Sequence, residues 1–262
     1  MYRVAMNLPE PTSHFSQPNR RALLVAGAAA LSGCASTTSL PQADAAAGAS
    51  QTGAWQAVTF PGKALTTYRR DVKDGVPAWR AEAHQSASMW RHRVSLAPGQ
   101  FDVVRFSWWV DRLVPGAALG EAGRTDSPAR LVFAFAGDDT RLSMRNRMLF
   151  DLAESLGQER PPYATLVYAW SNDLPVGEAV VHPRSDRVRK IVIDSGDAHL
   201  RTWRQHERRL SDDFQQLFGE APGPLVGVAF MTDADNLEAS ALTWYGQVEV
   251  QGQAGSQGLS IF

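Results

Sequence analysis

Asp233, Asp235 and Asn236 fall in one turn, just after the apolar run Leu225-Val226-Gly227-Val228-Ala229-Phe230-Met231. Carboxylate and amide oxygens at that spacing suit a hard cation such as Ca²⁺, which gathers about 6–8 oxygen ligands. The turn alone supplies too few, so Asp138, Asp139 or Glu238 would have to join a metal at Asp233 and Asp235. The spacing and closing Glu of an EF-hand are missing. The plainer reading, preferred here, is a turn whose Asp and Asn cap their own backbone. No His-Glu-x-x-His or paired histidine spacing occurs among His84, His92, His182, His199 and His206, which argues against a zinc hydrolase. Ser195-Gly196-Asp197 with His199 lacks the Gly-x-Ser-x-Gly elbow and reads as turn chemistry after a strand. No catalytic residue is assigned.

The eight tryptophans are the other chemical resource. Broad apolar ring faces serve both cores and flat ligands such as sugar rings. Neighbours on a strand point to opposite faces, so Trp108 and Trp109 cannot both enter one core. Trp109, Trp170 and Trp244 are therefore candidate stacking platforms, with Asp233, Asp235 and Asn236 as polar contacts. A packed face without ligand is an equal alternative.

The elements that must position these residues are mostly strands. Trp79-Arg80-Ala81-Glu82-Ala83 alternates as a half-buried strand does, and Phe101–Val110 is the strongest strand candidate. Leu131–Ala136, Thr165–Trp170, Val188–Ile193, Leu225–Met231 and Leu242–Val250 extend the set. Two segments carry helical spacing. Met148, Leu149, Leu152 and Leu156 share a face, with Gly157 as the stop, and Trp203, His206, Leu210, Phe214 and Leu217 share another, ending before Gly219. Arg201, Arg204, Arg208 and Arg209 crowd the second and read as its solvated face. Many short strands with one or two helices predict an all-β sandwich.

The N-terminus reads differently. Arg20-Arg21 precedes the short apolar run Ala22–Ala30, then Leu31-Ser32-Gly33-Cys34. This fits a secretory signal and is too short to span a bilayer, which takes about 20 apolar residues. Leu31–Cys34 resembles the bacterial lipobox. That resemblance implies cleavage before Cys34, diacylglyceryl attachment to its thiol and a membrane anchor. Cys34 is the single cysteine, so no intramolecular disulfide forms. With Ala35 and Ser36 next and no Asp beside the cysteine, the resemblance to sorted lipoproteins favours the outer membrane, facing the periplasm. Residues 35–53 are Ala, Ser, Thr, Gly and Gln with little else, and read as a flexible tether. The expected organisation is signal peptide 1–33, tether 34–53, one domain 54–251 and tail 252–262. A net charge of −1 makes nucleic acid a poor partner.

The domain also resembles the bacterial family known as domain of unknown function 3047. The resemblance rests on Ser127-Pro128-Ala129-Arg130-Leu131, Leu166–Trp170 and Arg189–Gly196, and on Phe218-Gly219-Glu220-Ala221-Pro222. Gly227–Asn236 followed by Trp244-Tyr245-Gly246 completes it. It implies no activity. Its closing pattern, an Asp-rich loop then a final strand, is similar to galactose-binding jelly rolls, so the expected fold is a jelly-roll-like β-sandwich with one or two helices packed on it. The expected function is non-catalytic binding of a carbohydrate or another envelope ligand. The alternatives are an envelope polysaccharide hydrolase using carboxylates, and an envelope assembly or scaffold protein with a broad exposed apolar patch.

Overall fold

Alternating strands bury one face each, and here they do so against one another in two sheets. The computed structural model describes residues 54–253 and 259–262. The expected signal peptide, Cys34, the expected tether to residue 53 and residues 254–258 of the expected tail lie outside the described residues.

The first sheet runs β1 (Gln56–Thr59), β4 (Ala87–Leu96), β11 (Leu225–Asp233), β6 (Ser127–Phe135), β7 (Ala164–Ser171), β9 (Ser185–Ser195), β8 (Ala179–His182). In the second, β5 (Val103–Val110) is central. Along one of its edges lie β12 (Ser240–Tyr245) and β13 (Val248–Gln251); β10 (Trp203–Arg209) pairs with the other. Beyond β12 come β3 (Val76–His84) and β2 (Thr67–Lys73), and β14 (Leu259–Ile261) borders β13. Late strands lie between early ones in both sheets: β11 between β4 and β6, β12 between β3 and β5. With β7 beyond β6 and β10 beyond β5, eight strands interleave in jelly-roll order. The fold is therefore the expected β-sandwich. Among the described residues all strand pairs are antiparallel except β7 with β9, whose parallel pairing no local pattern announced.

The inner faces make one core. Trp108, Phe133, Tyr168, Trp170, Phe214 and Phe230 sit at its centre. Strand parity works as expected at Trp108 and Trp109. The first is in the core; the second points out of the second sheet and packs edge-on against Trp244 at 5.0 Å. β6 is buried on both faces, because Leu119 from the loop 111–126 packs over its outward Val132.

Both helical expectations need correction. Residues 203–209 are strand, and only α2 (Leu210–Phe218) is helical, ending at Gly219 with φ 71°. The spacing of Trp203, His206 and Leu210 fits a helix by coincidence, since the segment's burial alternates as a strand's does. Nor are its arginines a solvated helix face. Arg204 pairs with Asp194, Arg208 with Asp213 and Arg209 with Asp102 and Asp212. Asp194 also accepts from Trp108 Nε1 at 2.7 Å and bonds His206 Nε2 at 2.8 Å, which ties β9 to β5 and β10.

α1 (Met144–Ser155) forms where expected, with Ser143 as its cap and Gly157 just beyond. Its orientation is reversed. It buries Asn146 and Phe150, while Met148, Leu152 and Leu156 are 66%, 54% and 65% exposed.

Candidate functional site

Register on the outer face of the first sheet sets side chains in rows. Met89, Met231, Arg130, Ala169 and Val192 are successive partners across β4, β11, β6, β7 and β9. Ala229, Val132, Val167 and Lys190 form the next row, and Ala134, Thr165 and Val188 the one after. Met89, Met231, Arg130, Val132, Val167, Lys190, Thr165 and Val188 from these rows floor a groove of about 580 Å³. Its walls are Phe60–Lys63, the stretch around Ala122–Thr125, the β8–β9 turn at His182–Arg184, and Asp235-Asn236.

Asp233 ends β11 two residues past Met231 and so shares the outward face. Its Oδ2 accepts from Arg130 Nη1 at 2.8 Å and its Oδ1 from the Ser127 N–H at 3.1 Å. Arg130 also donates to the Thr125 carbonyl. Burial pushes the Asp233 carboxyl up to about 6, although Arg130 pulls it down. Asp126 accepts from Asn236 Nδ2 at 2.6 Å and from the Leu237 N–H at 3.0 Å. Asp235 pairs with Lys63. The carboxylates of Asp126, Asp233 and Asp235 lie within 4.8 Å of one another.

That cluster is the part of the cation proposal with most support, and Asp126 joins it in place of Asp138, Asp139 or Glu238. Its oxygens already meet Arg130, Lys63, Asn236 and backbone N–H groups, so a cation would have to displace bonds the fold makes for itself.

Lys190 is 3% exposed, and its Nζ donates to the Leu119 carbonyl at 2.9 Å. Burial pulls its ammonium down to about 7, helped by Arg130 and opposed by Asp233. Burial, with Lys190, Arg130 and Arg184 nearby, holds His182 at about 4. The imidazole is thus neutral at pH 7. Its Nδ1 accepts the Arg184 backbone N–H at 3.2 Å, which leaves Nε2 carrying the hydrogen.

Of the residues singled out from sequence, Asp233, Asp235 and Asn236 line this groove together. The tryptophans do not join them. Trp170 is 0% exposed in the core, its Nε1 donating to the Gly196 carbonyl at 3.0 Å. Trp109 and Trp244, 6% and 9% exposed, lie on the outer face of the other sheet, where Lys73 Nζ sits 4.0 Å from the Trp109 ring centroid. The expected stacking platforms are packing residues: Trp170 is in the core, and Trp109 and Trp244 stand edge to face with Lys73 over the Trp109 ring. Sequence reading missed Lys63, Asp126, Arg130, His182, Arg184 and Lys190 in this setting. Arg130 did carry a signal, as the lone charge on the outward parity of its strand; Lys190 lies between Val188 and Val192 on that parity, but Asp186, Arg187, Arg189 and Asp194 in the same strand masked it.

Fold and site define a jelly-roll β-sandwich with a charged groove on an aliphatic floor. The chain belongs to the family described as "Protein of unknown function (DUF3047)", which matches residues 53–249. Two solved structures of cysteine-substituted mutants of ENZbleach xylanase are similar at 8% identity. One has a TM-score of 0.41 over 82% of this chain and 89% of that chain. The other has a TM-score of 0.33 over 80% and 91%. No curated protein matches. No helix among the described residues is long and apolar enough to cross a membrane.

Proposed function

We propose that the domain is a non-catalytic binding module of the cell envelope, held on the outer membrane by lipid at Cys34, and that a carbohydrate or another envelope ligand lies in the groove of the first sheet. The observation that carries the binding role is the groove itself. Its size falls in the usual range for ligand sites, about 300–1,000 Å³, and polar groups converge on an apolar floor. The non-catalytic reading rests on the internal partners of its carboxylates. The anchor rests on Leu31–Cys34 alone.

The test uses full chain purified in detergent from cells fed labelled palmitate. Label is expected in the wild type and missing from Cys34→Ser. On an array of envelope glycans the wild type should bind, while Val167→Trp, which fills the groove floor, should lose at least tenfold. Equal binding by that variant would move the ligand elsewhere; binding to no glycan would remove the carbohydrate reading.

One observation favours the assembly reading. Met144, Met148, Leu149, Leu152 and Leu156 form an exposed apolar strip on α1. That reading expects α1, not the groove, to be the face covered in the envelope.

A further inference from the structure

The groove's charges do not balance. Asp233 is taken by Arg130 and Asp235 by Lys63. Two cations lining the same groove, Lys190 and Arg184, have no carboxylate partner among the described residues. Lys190 is the sharper case, because it is buried and its Nζ has a single acceptor among the described residues, the Leu119 carbonyl. An ammonium has three hydrogens to place, and burying a charge without a counter-charge is costly. Holding the Leu119 loop does not call for a charge, since a neutral donor would serve. Arg184 brings a planar fork of donors to the rim, and His182 adds Nε2–H beside it.

We infer that Lys190, Arg184 and His182 form an oxyanion subsite, which takes a carboxylate or phosphate group carried by the ligand. The inference rests on the groove being the binding face. The oxyanion would lie over the Val167–Val188 floor and supply the acceptors that Lys190 lacks. Asp233 and Asp235 do not repel it strongly, because their charges are compensated by Arg130 and Lys63, and Asp126 is held by Asn236 and the Leu237 N–H. Uronate sugars and phosphorylated sugars both carry the required group.

Calorimetry on the full chain in detergent separates the sources, with sodium glucuronate, inorganic phosphate and glucose as probes. Glucuronate or phosphate should bind where glucose does not; tighter glucuronate points to acidic sugars, tighter phosphate to phosphorylated ones. Lys190→Met should weaken that binding at least tenfold with near-ultraviolet dichroism unchanged. Arg184→Gln, an exposed change that spares the core, should weaken it about threefold. Oxyanion binding that ignores both substitutions, or no oxyanion binding at all, overturns the subsite. Array glycans that bind regardless of Lys190 would sink the subsite and leave the groove reading intact. Lys190-dependent phosphate binding without any glycan binding would keep the subsite and remove the carbohydrate reading.

Discussion

Asp233→Ala is expected to cost about 3–5 kcal/mol of folding stability, close to unfolding the domain at physiological temperature. The residue is 3% exposed and its carboxylate neutralises Arg130, itself 5% exposed. Removing one member of a buried ion pair leaves the other charge uncompensated, which costs far more than the pair gains. The Ser127 N–H loses its acceptor as well. Urea unfolding of the variant measures the loss. The double variant Arg130→Met/Asp233→Ala should regain most of it, because two apolar side chains can replace a buried pair at little net cost. A single-variant loss below about 1 kcal/mol would show that water already reaches this pair.

Lys190→Met is expected to act in the opposite direction, stabilising the fold while removing the oxyanion site. The drop of the ammonium from 10.5 to about 7 sets an upper bound of about 5 kcal/mol on the cost of holding it charged. The lost bond to the Leu119 carbonyl returns about 1 kcal/mol of that. A net gain of about 2–4 kcal/mol is expected at neutral pH. The pH dependence follows from the sign. With its folded value below its unfolded one, Lys190 binds more protons in the unfolded chain between about 7 and 10.5. Wild-type stability therefore gains from this group as pH rises through that window, and the variant's advantage shrinks. Arg130, Asp233, His182 and Arg184 share the groove; His182 is already neutral there, and Asp233, at about 6, is already ionised. Thermal melts from pH 6 to 9.5 check this. A less stable variant at every pH would make Lys190 a structural residue whose charge the fold needs.

Parity and composition carried the sequence reading a long way. The alternation at Trp79–Ala83 and the paired Trp108-Trp109 marked half-buried strands, and the structure makes them so. What local pattern could not show is which strands share a sheet. Asp233 and Trp109 both point outward, but from opposite sheets, so they never meet. The rows uniting Arg130, Val167 and Lys190 exist only through the β6–β7 pairing and the parallel β7–β9 pairing. Residues 203–217 failed for another reason, since a strand that runs straight into a helix kept one apparent helical face. The face of α1 was legible but its direction was not, because burial there follows Phe150 and Asn146.

The most direct test of the groove is a hydrogen-exchange footprint of the full chain in detergent, with and without an envelope polysaccharide fraction. Slowed exchange is expected in the groove walls, at residues 119–125, 182–184 and 234–237, with little change at 199–203 beside the Trp109 face. Protection confined to α1 or to the Trp109 face, with the groove walls unchanged, would contradict the account.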